Sequence, residues 1–149
     1  MIRACDHCGA QNRIPAKFLS ARGKCGSCKA ALEALSAPLD VDTAEFDAIV
    51  KDAKLPVFVD FWAAWCGPCR MAAPEVKALA KLLAGKAIVL KVDTEAHPEL
   101  AGRFAIQGIP AFVLMRGGRL LAKRAGYAVA ADLAEWVRSA GGNNAFSGV

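Results

Sequence analysis

From residue 38 onward, the chain alternates between short, nearly continuous apolar runs and longer stretches with apolar residues on one helical face. PVFVDFWA (56–63) and AIVLKVD (87–93) are runs of the first kind. Their length and lack of polar alternation predict strands buried on both sides. Residues 67–84 carry Val76, Leu79, Ala80 and Leu83 at helical spacing, which predicts an amphipathic helix. DTAEFDAIVKD (42–52) is a second helix, with Asp42 placed to cap it and Glu45 three residues on to reach back. HPELAGRF (97–104) predicts a short helix with Pro98 in its first turn. PAFVLMR and RLLAKRA flank a Gly-Gly pair, which predicts an antiparallel hairpin. A last helix covers about 129–140, with Val129, Leu133, Trp136 and Val137 on one face and no good capping residue before it. The sum is an α/β fold, a central mixed sheet with helices on both sides.

The first 31 residues follow another rule. They hold four cysteines, a single aromatic, Phe18, and few large apolar side chains. So short a segment needs a metal or disulfides in place of a core. The reading therefore divides the chain into a metal-binding module (1–31), a linker (32–38), the α/β domain (39–141) and a flexible Gly/Asn-rich tail (142–149). Beyond the recurring CxxC spacing no long repeat is read.

Composition changes this picture little. The chain is 55% apolar and 22% charged, a core-forming profile. No apolar run reaches the length of a membrane span, and the first residues lack the apolar region of a secretory signal. A cytoplasmic location is expected, where CxxC pairs are metal ligands or catalysts sooner than structural disulfides. The net charge is +5. Most of it lies in residues 1–37, where six Lys/Arg face two acids. A four-thiolate zinc site would offset part of that charge, and no Lys/Arg stripe with interleaved aromatics invites nucleic acid.

FWAAWCGPCR (61–70) holds the third CxxC pair, Cys66 and Cys69, between a buried strand and a helix start. Unpaired N–H groups and the helix dipole favour a thiolate there, so Cys66 is the expected nucleophile. Cys69, one turn on, is placed to resolve a mixed disulfide formed on Cys66. Gly67 lets the backbone turn, and Pro68 loses little by its missing N–H. A metal half-site is the bland alternative, but His97 is the sole histidine after residue 37.

VDFWAAWCGPCRMAAP resembles the active-site segment of the thioredoxin family. IQGIPAFVLMRGG and RAGY resemble its second and third hallmarks, and the likeness covers about residues 38–140. The resemblance implies a thioredoxin fold and a disulfide reductase recharged by an NADPH-dependent thioredoxin reductase. It implies a buried Asp60 behind the cysteines, with Lys91 as its partner, assisting Cys69. It further implies a cis bond before Pro110 and substrate backbone bound at Ile109. Trp65, Pro110 and Gly126 would line a shallow apolar groove, with Gly67 and Pro68 on the same surface. Pro74 would kink the active-site helix. Phe61 and Trp62 are read as core.

CDHC and CGSC form a C-x2-C-x16-C-x2-C array. Its spacing suits one zinc ion on Cys5, Cys8, Cys25 and Cys28. Gly9 and Gly26 are expected at the tight turns that aim N–H groups at sulfur. His7 is read as solvent-facing or behind a ligand. Iron is chemically admissible. With this extension the chain resembles the zinc-containing bacterial thioredoxins, the thioredoxin 2 type. The zinc would be structural or redox-sensing, with no organic cofactor, and the protein a monomer. Two competing readings stay open: a zinc-ribbon binding module using the second domain as scaffold, and a disulfide isomerase or oxidase.

Overall fold

A computed structural model describes residues 2–15 and 23–140. The stretch containing Phe18 and the predicted tail lie outside the described residues. The element order is β1 (Ile2–Ala4), β2 (Gln11–Arg13), β3 (Gly23–Lys24), β4 (Ala31–Leu32), β5 (Leu39–Asp40), α1 (Thr43–Asp52), β6 (Val57–Trp62), α2 (Gly67–Leu82), β7 (Ile88–Asp93), α3 (Pro98–Arg103), β8 (Ala111–Arg116), β9 (Arg119–Ala125) and α4 (Ala130–Ala140).

The two apolar runs become β6 and β7, which pair in parallel at the centre of a five-stranded sheet ordered β5-β7-β6-β8-β9. Strand β8 returns antiparallel to β6, and β9 pairs antiparallel with β8 around the Gly117–Gly118 turn, where both glycines have positive φ. The sheet is mixed, as predicted. The sequence reading missed β5, a two-residue strand that pairs with β7. Its pattern was too short to show.

Period-two alternation distributes the strand side chains between two cores. Val57, Val59 and Phe61 of β6 join Ile88, Leu90 and Val92 of β7 under α1 and α3. Phe58 and Val89 face the other way, with Phe112 and Leu114, against Ala72, Val76 and Leu79 of α2 and Leu133 and Val137 of α4. Each fully buried large apolar side chain contributes about 1.5–3 kcal/mol. Phe58 and Phe112 stack with ring centroids 5.3 Å apart, and Trp136 meets Phe58 edge-on at 6.1 Å. By the same alternation Asp60 and Lys91 point toward α2, the helix that carries the cysteines.

The caps explain the helix boundaries. Asp42 accepts from the Glu45 N–H at 2.7 Å, and Glu45 accepts from the Asp42 N–H at 3.0 Å, closing the expected capping box. Helix α4 has no local cap because Glu75, far away on α2, accepts from the Ala130 N–H at 2.8 Å. The predicted face of α4 needs correction: Val129 is exposed, and Ala130 and Ala134 are buried with Leu133 and Val137. Pro74 lies inside α2 without ending it. It lacks the N–H that would bond to the Arg70 carbonyl.

The N-terminal segment is a pair of matching hairpins. β1 pairs with β2 and β3 with β4, each antiparallel, and each CxxC sits at the turn. Cys5 N–H donates to Ala10 O and Cys25 N–H to Ala30 O, both at 2.8 Å. A short repeat therefore exists where none beyond the spacing was read. Two-residue strands carry no hydrophobic period that would reveal it. Ile14 packs against both the cysteine cluster and the α1 side of the sheet, joining the two parts.

Candidate active site and metal centre

Cys66 is the N-cap of α2, and its sulfur accepts the Cys69 N–H at 3.1 Å. The two cysteines are joined as a disulfide, with Cα atoms 5.2 Å apart. The Ile109 carbonyl oxygen lies 3.6 Å from Cys66 Sγ, and the Ile109–Pro110 bond is cis. Pro110 is buried, and its carbonyl accepts the Gly126 N–H at 2.8 Å. Gly126 holds a φ of 98°, which a side chain would strain. The loop carrying Ile109 and the turn carrying Gly126 are thus tied together beside the pair. Gly67 and Pro68 form the first turn of α2, next to Cys66.

Trp65 is 66% exposed, a large apolar surface for a residue adjoining a buried cysteine. Glu95 accepts a hydrogen bond from its indole Nε1 and holds the ring. Sequence reasoning missed Glu95, since an exposed acid in a loop carries no motif. It also placed Trp62 wholly in the core. Phe61 is core, but Trp62 is half-buried and packs against the cluster of Ala63, Cys66 and Cys69. Lys91 Nζ lies 4.8 Å from the centre of the Trp62 ring.

Asp60 is 2% exposed in the central strand, which rules out an edge-strand contact with solvent. Burial pushes its carboxyl from an ordinary 3.8 up to about 7, with Lys91 pulling the other way and Asp40 adding to the rise. Asp60 Oδ1 and Trp62 Nε1 are buried with no hydrogen-bond partner among the described residues. Both residues line a cavity of about 90 Å³ with Cys69, Arg70, Ala73 and Lys91. That is room enough for water. Asp60, Lys91 and Cys69 are therefore brought to one small space.

The other four cysteines converge across the two hairpins. Their sulfurs lie within 4.8 Å of one another, with Cys5–Cys28 and Cys8–Cys25 each at 3.7 Å. Four thiolates at zinc–sulfur distances from one centre stand about 3.8 Å apart. Donors surround them: His7 N–H reaches Cys5 Sγ at 3.4 Å, and Ser27 N–H reaches Cys25 Sγ at 3.4 Å. The Cys28 N–H, the Asn12 amide and the Ser27 N–H draw the Cys25 thiol down to about 6, whereas Cys28, against the pull of the Ala30 backbone, is pushed up to about 11 by burial and the neighbouring sulfurs. The donor set fits zinc. The His7 ring is not among the clustered ligands, and the residue is exposed. Gly26 lies in its turn as expected but does not supply the left-handed backbone there. The left-handed residues are Gly9 (φ 77°) and Lys29 (φ 65°), each following the second cysteine of its pair. Gly26 instead donates its N–H to Asn12 Oδ1 at 2.8 Å. Asn12, which also donates to Cys25 Sγ, was missed because an asparagine in a two-stranded hairpin has no pattern to betray it.

Comparison with known proteins agrees with this geometry. The thioredoxin family model matches residues 37–139, and a zinc-ribbon model described as Thioredoxin 2, N-terminal, matches residues 4–30. Thioredoxin C-3 of Corynebacterium nephridii is 37% identical over 137 residues, covering 92% of this chain and 93% of that protein. Thioredoxin 1 of Chlorobaculum tepidum is 51% identical over 80 residues, covering 54% of this chain and 79% of its own. A mutant thioredoxin from Halobacterium salinarum superimposes with a TM-score of 0.64 at 32% identity, covering 70% of this chain and 90% of that one. A chloroplastic thioredoxin z gives 0.64 at 27% identity, covering 70% and 95%. No helix among the described residues is long and apolar enough to cross a membrane. By the fold, the cysteine pair at the head of α2 and these likenesses together, the chain belongs to the thioredoxin family of protein-disulfide oxidoreductases.

Proposed function

We propose that the chain is a protein-disulfide reductase acting through Cys66 and Cys69, with one zinc ion on Cys5, Cys8, Cys25 and Cys28. The observation that carries this reading is Cys66 at the N-cap of α2, its sulfur taking the Cys69 N–H at 3.1 Å beside the Ile109 carbonyl. A sulfur so placed is stabilised as thiolate by the helix terminus.

In the reduced protein, Cys66 Sγ attacks one sulfur of a substrate disulfide. A mixed disulfide forms, and the other substrate sulfur leaves as thiolate. Cys69 then gives its proton to Asp60, through water in the small cavity, and attacks Cys66 Sγ. The second substrate sulfur departs, and Cys66–Cys69 is left oxidised, the state seen here. Lys91 steadies the Asp60 carboxylate once the proton has left. Trp65, Gly67, Pro68, Ile109, Pro110 and Gly126 form the substrate surface, with the backbone at Ile109 open to an added extended strand. A thioredoxin reductase drawing on NADPH would return the two electrons. The reading places a monomer in the cytoplasm, with residues 1–31 as the metal module, 32–38 as linker and 39–141 as the redox domain. Zinc supplies the folding energy that the hairpins cannot draw from a core.

Insulin reduction driven by dithiothreitol tests this. Activity should be abolished in Cys66→Ser, and Cys69→Ser should accumulate covalent adducts with substrate. Cys25→Ser should lose zinc and keep most of the activity. Full activity in Cys66→Ser would overturn the redox assignment, and loss of activity in Cys25→Ser would overturn the division of labour.

A further inference from the structure

Three charged residues lie side by side across three neighbouring parallel strands. Asp40 of β5 is in register with Lys91 of β7, and Lys91 is in register with Asp60 of β6. In-register neighbours share a face of the sheet. The row is therefore carboxylate, ammonium, carboxylate, all directed toward α2. Its two ends differ: Asp60 is buried, and Asp40 is exposed.

The spaces beside the row repeat this order. The inner cavity holds Asp60, Cys69 and Lys91. An outer, open one of about 400 Å³ is lined by Asp40, Lys77 and Lys91, with Ala37 and Pro38 of the linker. Lys91 lines both, beside a buried acid on one strand and a solvated one on the other, with its ammonium 4.8 Å from the centre of the Trp62 ring. The charged or titratable groups on the Asp60 side are Lys91 from β7, Asp40 from β5, and Cys69 and Arg70 from α2, with Lys77 of α2 lining the outer space beside Asp40 and Lys91. From β8, Asp60 meets Phe112, which carries no charge.

We propose that Asp40 is a positioning residue for the resolving step: its carboxylate, in register with Lys91 on the neighbouring strand, offsets part of that cation's charge and thereby limits how much of its field reaches Asp60. A cation committed wholly to Asp60 would hold it ionised far below neutrality. Shared with Asp40, it leaves Asp60 able to take and release a proton near neutral pH, where a general base works best. The direction in which Asp40 acts on Asp60 agrees. The proposal rests on the reductase reading for its consequence in turnover, but its electrostatic part does not require turnover.

The test is a carboxyl-carbon NMR titration of Asp60 in the full-length, zinc-loaded protein. Asp40→Asn should move the Asp60 midpoint down by about half a pH unit at low salt, the effect of one screened charge. Because Asp40 is exposed, the shift should shrink at high salt. Asp40→Glu should restore the wild-type midpoint and exclude a mere distortion of β5. In the same variants, release of substrate from the Cys66 mixed disulfide on the acid side of the profile should be about threefold faster in Asp40→Asn, the rate equivalent of that shift. An unmoved midpoint at low salt, or one that moves equally in Asp40→Glu, overturns the proposal. A moved midpoint in a protein that does not reduce insulin overturns the reductase reading and leaves the coupling standing.

Discussion

Asp60 shows how one buried acid links stability to chemistry. In the folded chain it keeps its proton up to about 7, whereas its ordinary value is 3.8. Between those values the native state binds a proton that the unfolded chain has released. Stability from this group is therefore complete below about pH 4, falls as pH rises through the window, and stays low above it. The gap corresponds to on the order of 4 kcal/mol. Asp60→Asn should accordingly add little stability at about pH 4 and up to about 4 kcal/mol at about pH 8, measured by urea unfolding at both. The same variant should slow adduct resolution. A stability gain independent of pH would show that the acid is not held protonated.

At the scale of elements, the legible parts were those with a long period. β6, β7, α1 and α2 each show enough apolar positions to be predicted within a few residues. The capping box of α1 was readable because both partners lie three residues apart. The cap of α4 was not, since Glu75 and Ala130 are distant in sequence and only packing of α2 on α4 brings them together. Glu75→Ala should cost about 1 kcal/mol, the usual worth of a cap, and Glu75→Gln, which keeps an acceptor oxygen, should cost less. Thermal unfolding of the two variants checks the order. The candidate site divides in the same way. Cys66 and Cys69 follow from local spacing. Asp60 and Lys91 needed the family likeness, because a single charge inside an apolar run does not say what faces it. Asp40, Asn12 and Glu95 act through partners across strands or loops, and nothing near them in sequence marks them.

The whole molecule joins two ways of making a fold. Residues after 38 bury two aliphatic and aromatic cores, and the hairpins before them gather around four sulfurs. Ile14 and the linker connect the parts. Treatment with a strong chelator should therefore expose the amides of β1–β4 to hydrogen exchange while those of β6 and β7 stay protected. Simultaneous loss of protection in both sheets would mean that the metal holds the entire chain together. The edges of the larger sheet also differ in what they meet. β5 ends one side just after residues 37–38, whereas β9 ends the other with no strand beyond it among the described residues. An uncovered margin of this kind is a template on which a second molecule could stack and begin a fibril. Arg119, Lys123 and Arg124 all belong to β9, and like charges brought together by such stacking would make it costly.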